Sequence, residues 1–110
     1  MAFDEDLADR VRGCLEQVPD VSEKRMFGGL AFMVGGNMAV AASGQGGLLL
    51  RCEPAATDSL VATVGVDRMV MRGRAMDGWL RVEGPVVADD EDLLHWVELG
   101  VSYVGSLPAK

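Results

Sequence analysis

The chain has one histidine, two cysteines and few aromatic rings: three Phe, two Trp and one Tyr. The lone histidine, His95, falls with Glu91, Asp92, Glu98 and Ser102 on the polar side of a C-terminal helical pattern. No nucleophile or orienting partner lies near it in sequence, so a solvated surface residue is expected rather than a general base. Cys14 and Cys52 are far apart, outside any CxxC and without a neighbouring histidine. That spacing indicates neither a zinc site nor a redox pair. A disulfide between them is geometrically possible, but buried free thiols suit a reducing compartment better.

Other absences narrow the field further. The longest apolar runs fall far short of the ~20 residues that cross a bilayer. The leading MAFDEDLADR is acidic where a secretion signal is basic and then apolar. A cytoplasmic protein away from the membrane is the expectation. No GxSxG elbow is present. GGLAFMVGG and GQGG match neither GxGxxG nor the phosphate-loop pattern, and they join strand to strand rather than strand to helix. Asp89-Asp90-Glu91-Asp92 is a contiguous acidic run at a helix start, without the alternating ligands and glycine of a calcium loop. No catalytic residue, metal ligand or cofactor-binding residue is therefore assigned, and no cofactor is expected.

What the chain does have is glycine and methionine, 14 and seven among 110 residues. With 49% apolar and 25% charged residues, it has the composition of one globular domain, expected to span residues 1–110. RMFGGLAFMVGGNM, from Arg25 to Met38, sets apolar side chains between two Gly-Gly pairs, the pattern of a buried strand bracketed by tight turns. The spacing predicts a helix over 4–18, with Leu7, Val11, Cys14, Leu15 and Val18 on its apolar face. Strands are predicted over 21–27, 30–34, 38–42 and 48–52, with Gly35-Gly36-Asn37 as a hairpin turn. Pro54 opens a second helix, whose apolar side is Leu60, Val61 and Val64 and which Gly65 stops. Strands over 67–72 and 78–83 follow, joined by 73–77. A last helix starts at Asp89 or Asp90 and carries the stripe Leu93, Trp96, Val97, Gly100, Val101, Val104 and Leu107.

Short turns between strands imply an antiparallel sheet, and amphipathic helices need one face of it. The fold class is therefore α+β, two layers, with order α-β(3–4)-α-β(2)-α and helices on one face. The other face should carry Leu49, Arg51, Trp79 and Arg81 with nothing to cover them, which invites a partner. A homodimer through this face is the expectation.

Charge is segregated. The net charge is −7, which argues against a whole-surface affinity for nucleic acid. The acids gather in the terminal helices, whereas 24–83 holds seven bases against five acids. Arg51, Arg72, Arg74, Trp79 and Arg81 form the candidate interaction surface. Arginine pairs with planar anions and stacks on rings, so a phosphate-backbone contact is the alternative use of this patch. Direct nucleic-acid binding is nonetheless disfavoured, because a surplus of two charges is thin for it. A small-molecule site would need a deep pocket between sheet and helices.

RMFGGLAF, GGNM, LLLR, GRAMDGWLRV and DLLHWVELGVSYVGSLPAK, taken in that order, resemble the N-terminal domain of the TfoX/Sxy competence-regulator family. The similarity runs from about Arg25 to Lys110. The sequence departs from the pattern at Asn37-Met38-Ala39, where many relatives place a lysine and another aromatic. The resemblance implies a secretion-chaperone-like α+β fold, helix-β(3)-helix-β(2)-helix in outline, and a link to transcriptional control of DNA uptake. Full-length members add a C-terminal helical domain resembling DNA-binding helix-hairpin modules. A stand-alone N-terminal domain is the expectation here. The family offers no catalytic residues to carry over. The reading from sequence is a non-enzymatic regulatory or protein-interaction domain.

Overall fold

The structure, a computed structural model, describes residues 3–26 and 28–108. Phe27, expected to close the first strand, and Lys110 lie outside the described residues. Helix α1 (Glu5–Cys14) begins at Asp4, whose carboxylate accepts from the Leu7 N–H, with Glu5 and Asp6 at the positive end of the helix. Four strands follow, β1 (Val21–Met26), β2 (Gly29–Val34), β3 (Asn37–Ala42) and β4 (Leu48–Arg51). A 3-10 turn at Pro54–Ala56 leads into α2 (Thr57–Leu60). Strands β5 (Val66–Met71) and β6 (Arg74–Val82) form a hairpin, and a second 3-10 turn precedes α3 (Asp90–Gly105). Asp89 caps α3 by accepting from the Glu91 N–H.

The six strands make one antiparallel sheet in the order β1-β2-β3-β4-β6-β5. Four strands precede α2, the longer form of the expected order rather than the three-strand outline implied by resemblance. Side chains alternate between the two faces of a strand, so the pairing register defines rows that cross the whole sheet. One inner row runs Glu23, Phe32, Val40, Leu50, Leu80, Arg68. Its four apolar members are fully buried under the helices, with Leu7, Val11, Leu93, Trp96 and Val97 packed on them. Both ends of the row are charged and tied to the helix layer. Glu23 binds Arg12 of α1, and Arg68 binds Asp58 of α2 and Asp77 of β6. The edge strands are thereby fastened to the helices by ion pairs where the apolar core runs out.

Several expected boundaries move. Helix α1 stops at Cys14 rather than Val18. Pro19 disfavours helical geometry at Val18, yet Leu15 and Val18 still pack on the core from the turn. Cys14 is half-buried rather than buried, and it and Cys52 are both free thiols. Helix α2 is a single turn, and Val64, expected on its apolar side, is 92% exposed. Strand β6 starts at Arg74, because the hairpin turn is only Arg72-Gly73, both at positive φ (54° and 75°). Gly78, read as a strand start, is an interior residue at φ 84° where the β5–β6 register shifts. Gly35-Gly36 (φ 59° and 85°) suffice for the β2–β3 turn. Asn37 instead opens β3 and donates from its amide to the Pro108 carbonyl at 3.0 Å.

Candidate functional site

The opposite face of the sheet has no helix on it. A second row crosses all six strands there: Lys24, Ala31, Ala41, Leu49, Arg81, Asp67. Two residues further along the strands, Ser22 pairs with Met33, Met33 with Met38, and Arg51 with Trp79. Met69 and Met71 of β5 join this cluster, as does Met26 of β1. Five of the seven methionines in the chain thus gather in this cluster, and Met76 pairs with Met69 on the same face. Ala31 and Ala41 are only 0% and 1% exposed although no element covers them. The half-buried Met26, Met33, Met71 and Trp79 packed around them supply the cover. The face keeps itself dry with flexible thioether side chains, which repack easily against another surface.

The five residues singled out from sequence divide in two. Arg51, Trp79 and Arg81 share the open face with Leu49, as their alternation predicts. The Arg51 guanidinium lies over the Trp79 ring at 4.8 Å and the Tyr103 ring of α3 at 5.5 Å, where the open face meets the end of that helix. Its Nε is buried with no acceptor, the one such side-chain atom among the described residues. Arg81 donates to Ser43 Oγ (3.0 Å) and to the carbonyls of Gln45 (3.2 Å) and Gly46 (2.9 Å). It thereby pins the β3–β4 loop. Arg72 is exposed in the β5–β6 turn, and Arg74, exposed beside it, pairs with Met71 at the far end of the same face. Tyr103 is the member that sequence reasoning missed. It lies next to Ser102 on the polar flank of the α3 stripe, and nothing local marks it as an arginine partner.

The remaining candidates are elsewhere. His95 is exposed on α3, its ring edge-on to buried Trp96 at 5.3 Å. Among the described residues no three His, Cys, Asp or Glu side chains gather as a metal site requires. Burial raises the pKa of both thiols, so Cys14 and Cys52 stay protonated. Surface cavities of about 470 Å³ between α1 and α3 and about 450 Å³ between α1 and β1 lie away from Arg51, Trp79 and Arg81. Others measure about 420 Å³ between α2 and α3 beside Tyr103 and about 340 Å³ on the open face around Leu49, Met69 and Arg81. No helix among the described residues is long and apolar enough to cross a membrane.

Fold and face together define a two-layer α+β domain that leaves one side of its sheet uncovered. The chain belongs to the TfoX N-terminal domain family, whose model matches residues 14–103. The matched stretch holds the whole six-stranded sheet and all but the last two residues of α3. Neither the curated proteins nor the solved structures compared with the chain gave a match.

Proposed function

We propose that this TfoX-like regulatory domain is non-enzymatic and works in the cytoplasm through protein contacts made on the open sheet face. The observation that carries the reading is the uncovered Met-rich cluster around Leu49 and Trp79, kept apolar in a chain of net charge −7. Methionine and tryptophan are enriched where proteins bind proteins. Family membership supports a role in transcriptional control, and genes for DNA uptake are the first to measure. The nucleic-acid alternative has less behind it: the chain's net charge is −7, and a few arginines on one face are thin against the long-range repulsion of a polyphosphate backbone.

The first partner to test is a second copy, the homodimer expected from sequence. If a second copy is the occupant, light scattering at high micromolar concentration gives a mass above one chain that falls back in Leu49→Glu. A one-chain mass throughout ends self-association. For the wider reading, Leu49→Glu and Trp79→Glu should abolish regulation of transcripts in cells while leaving the domain folded by circular dichroism. Full regulation by both folded variants would end it.

A further inference from the structure

On the helix side Arg10, Arg12 and Arg68 meet carboxylates: Asp90, then Asp9 with Glu23, then Asp58 with Asp77. Arg25, on the same side of β1, stacks on Phe3 instead. On the open face, Arg51 and Arg81 have no carboxylate within 4.0 Å among the described residues. Arg81 is bonded only to neutral oxygens, and the Arg51 Nε is buried without any acceptor. With Lys24 at one end of the central row, Asp67 at the other and Arg74 opposite Met71, the strands of this face carry four cations and one anion. A chain with 17 acids has spared none for the guanidiniums of Arg51 and Arg81. An unpaired guanidinium beside apolar surface is costly, and a carboxylate supplied from outside offsets that cost.

Shape agrees with charge. The central row is low, with Ala31, Ala41 and Leu49 as its floor. Met33, Met38, Arg51 and Trp79 flank it on one side, and Met26 and Ser43 on the other. The flanks are four residues apart along a strand, about 13 Å, and a helix is about 10–12 Å across. Six strands span about 24 Å, the length of about 16 helical residues. Methionines that now lie over the alanines can swing aside to admit it.

We propose that the open face is a docking trough for an acidic amphipathic helix of a different protein. This rests on the protein-contact reading above and changes the occupant. The helix sets its apolar stripe over Ala31, Ala41 and Leu49, and its flanking carboxylates meet Arg51 and Arg81. A second copy fits less well. Face-to-face stacking sets like charge against like charge, and seating one copy's acidic α3 on the next copy's face is a head-to-tail contact that makes rings or filaments rather than a dimer.

The test uses two labelled peptides of about 16 residues with leucines at helical i, i+3, i+4, i+7 spacing, one flanked by Glu and its twin by Lys. Fluorescence anisotropy should show the Glu peptide binding at least about tenfold tighter, with the preference fading at high salt. Arg51→Gln should cut that preference, Arg51→Lys should retain most of it, and Arg51→Gln with Arg81→Gln should erase it. Thermal melts identify any variant that has merely unfolded, and because Arg81 pins a loop, the single Arg51 variants decide if the double variant unfolds. Equal affinity for both peptides, no binding of the Glu peptide at millimolar concentration, or indifference to Arg51 overturns the proposal. So does a concentration-dependent doubling of mass that the Glu peptide fails to compete, which makes the occupant a second copy. If Leu49→Glu abolishes regulation in cells while Arg51→Gln does not, the protein-contact reading stands and the acidic helix falls.

Discussion

Gly100 of α3 and Ala39 of β3 meet backbone to backbone. A Cβ on Gly100 would stand 2.7 Å from the Ala39 carbonyl oxygen and 3.1 Å from Val40 Cγ1. Both obstacles belong to the middle of the sheet and cannot move away cheaply. Alanine is the better helix former by about 1 kcal/mol, yet Gly100→Ala should lower stability by about 1–3 kcal/mol through overpacking. At Gly13 in α1 an added Cβ would meet nothing within 4 Å, so Gly13→Ala should raise stability by up to about 1 kcal/mol. Urea unfolding of the two variants separates the effects; equal signs would refute the close-contact account.

Thr57 is a buried crosspiece. Its Oγ1 donates to the Pro54 carbonyl at 2.8 Å and accepts from the Gly78 N–H at 2.8 Å. Thr57→Val keeps the shape and leaves the Gly78 N–H without a partner, at a cost of about 1–3 kcal/mol. Thr57→Ser should recover most of the loss in chemical denaturation.

Arg12 holds the Glu23 carboxyl below its ordinary pKa, and Glu23 in turn raises that of Arg12. A carboxylate depressed in the folded state stabilises the fold above the unfolded pKa, and that contribution is lost as pH falls through the folded value. Both partners are partly solvated, so the effect is small and screened by salt. Glu23→Gln should flatten the fall in melting temperature on acidification from pH 5 to pH 3, read at low ionic strength. An unchanged slope would show the pair to be energetically silent.

The two thiols should differ in reactivity. Cys52 is buried and 3.9 Å from Thr57 Oγ1, whereas Cys14 is half-buried near the surface of α1. Burial raises both pKa values, so neither should react quickly at neutral pH. A thiol-reactive dye should label Cys14 first and Cys52 at the rate of opening of the fold. Cys14→Ser should leave only the slow phase.

Much of the fold was legible because pattern and period agreed. Alternation in LLLR and in WLRV assigned Leu49, Arg51, Trp79 and Arg81 to one face, and the register puts them there. The glycines misled where one residue type serves two ends. Gly78 relieves an interior strand position, with Pro54 Cγ 3.1 Å from where its Cβ would be, while Arg72 takes the positive φ that a glycine usually supplies. Apolar residues after α2 suggested a longer helix, but Val64 faces solvent. The Arg51–Tyr103 contact joins elements about fifty residues apart in the chain, and no local spacing encodes it.

A face closed by thioethers is also chemically vulnerable. Sulfoxidation turns methionine from a pliable apolar side chain into a polar one. Met26, Met33 and Met71 are the reachable members of the cluster, and Met38 and Met69 are buried beside them. Mild peroxide should therefore reach the first three before it harms the fold, wetting the alanine floor and blunting whatever binds there. Oxidative stress would then silence this surface reversibly, and methionine sulfoxide reductase would restore it.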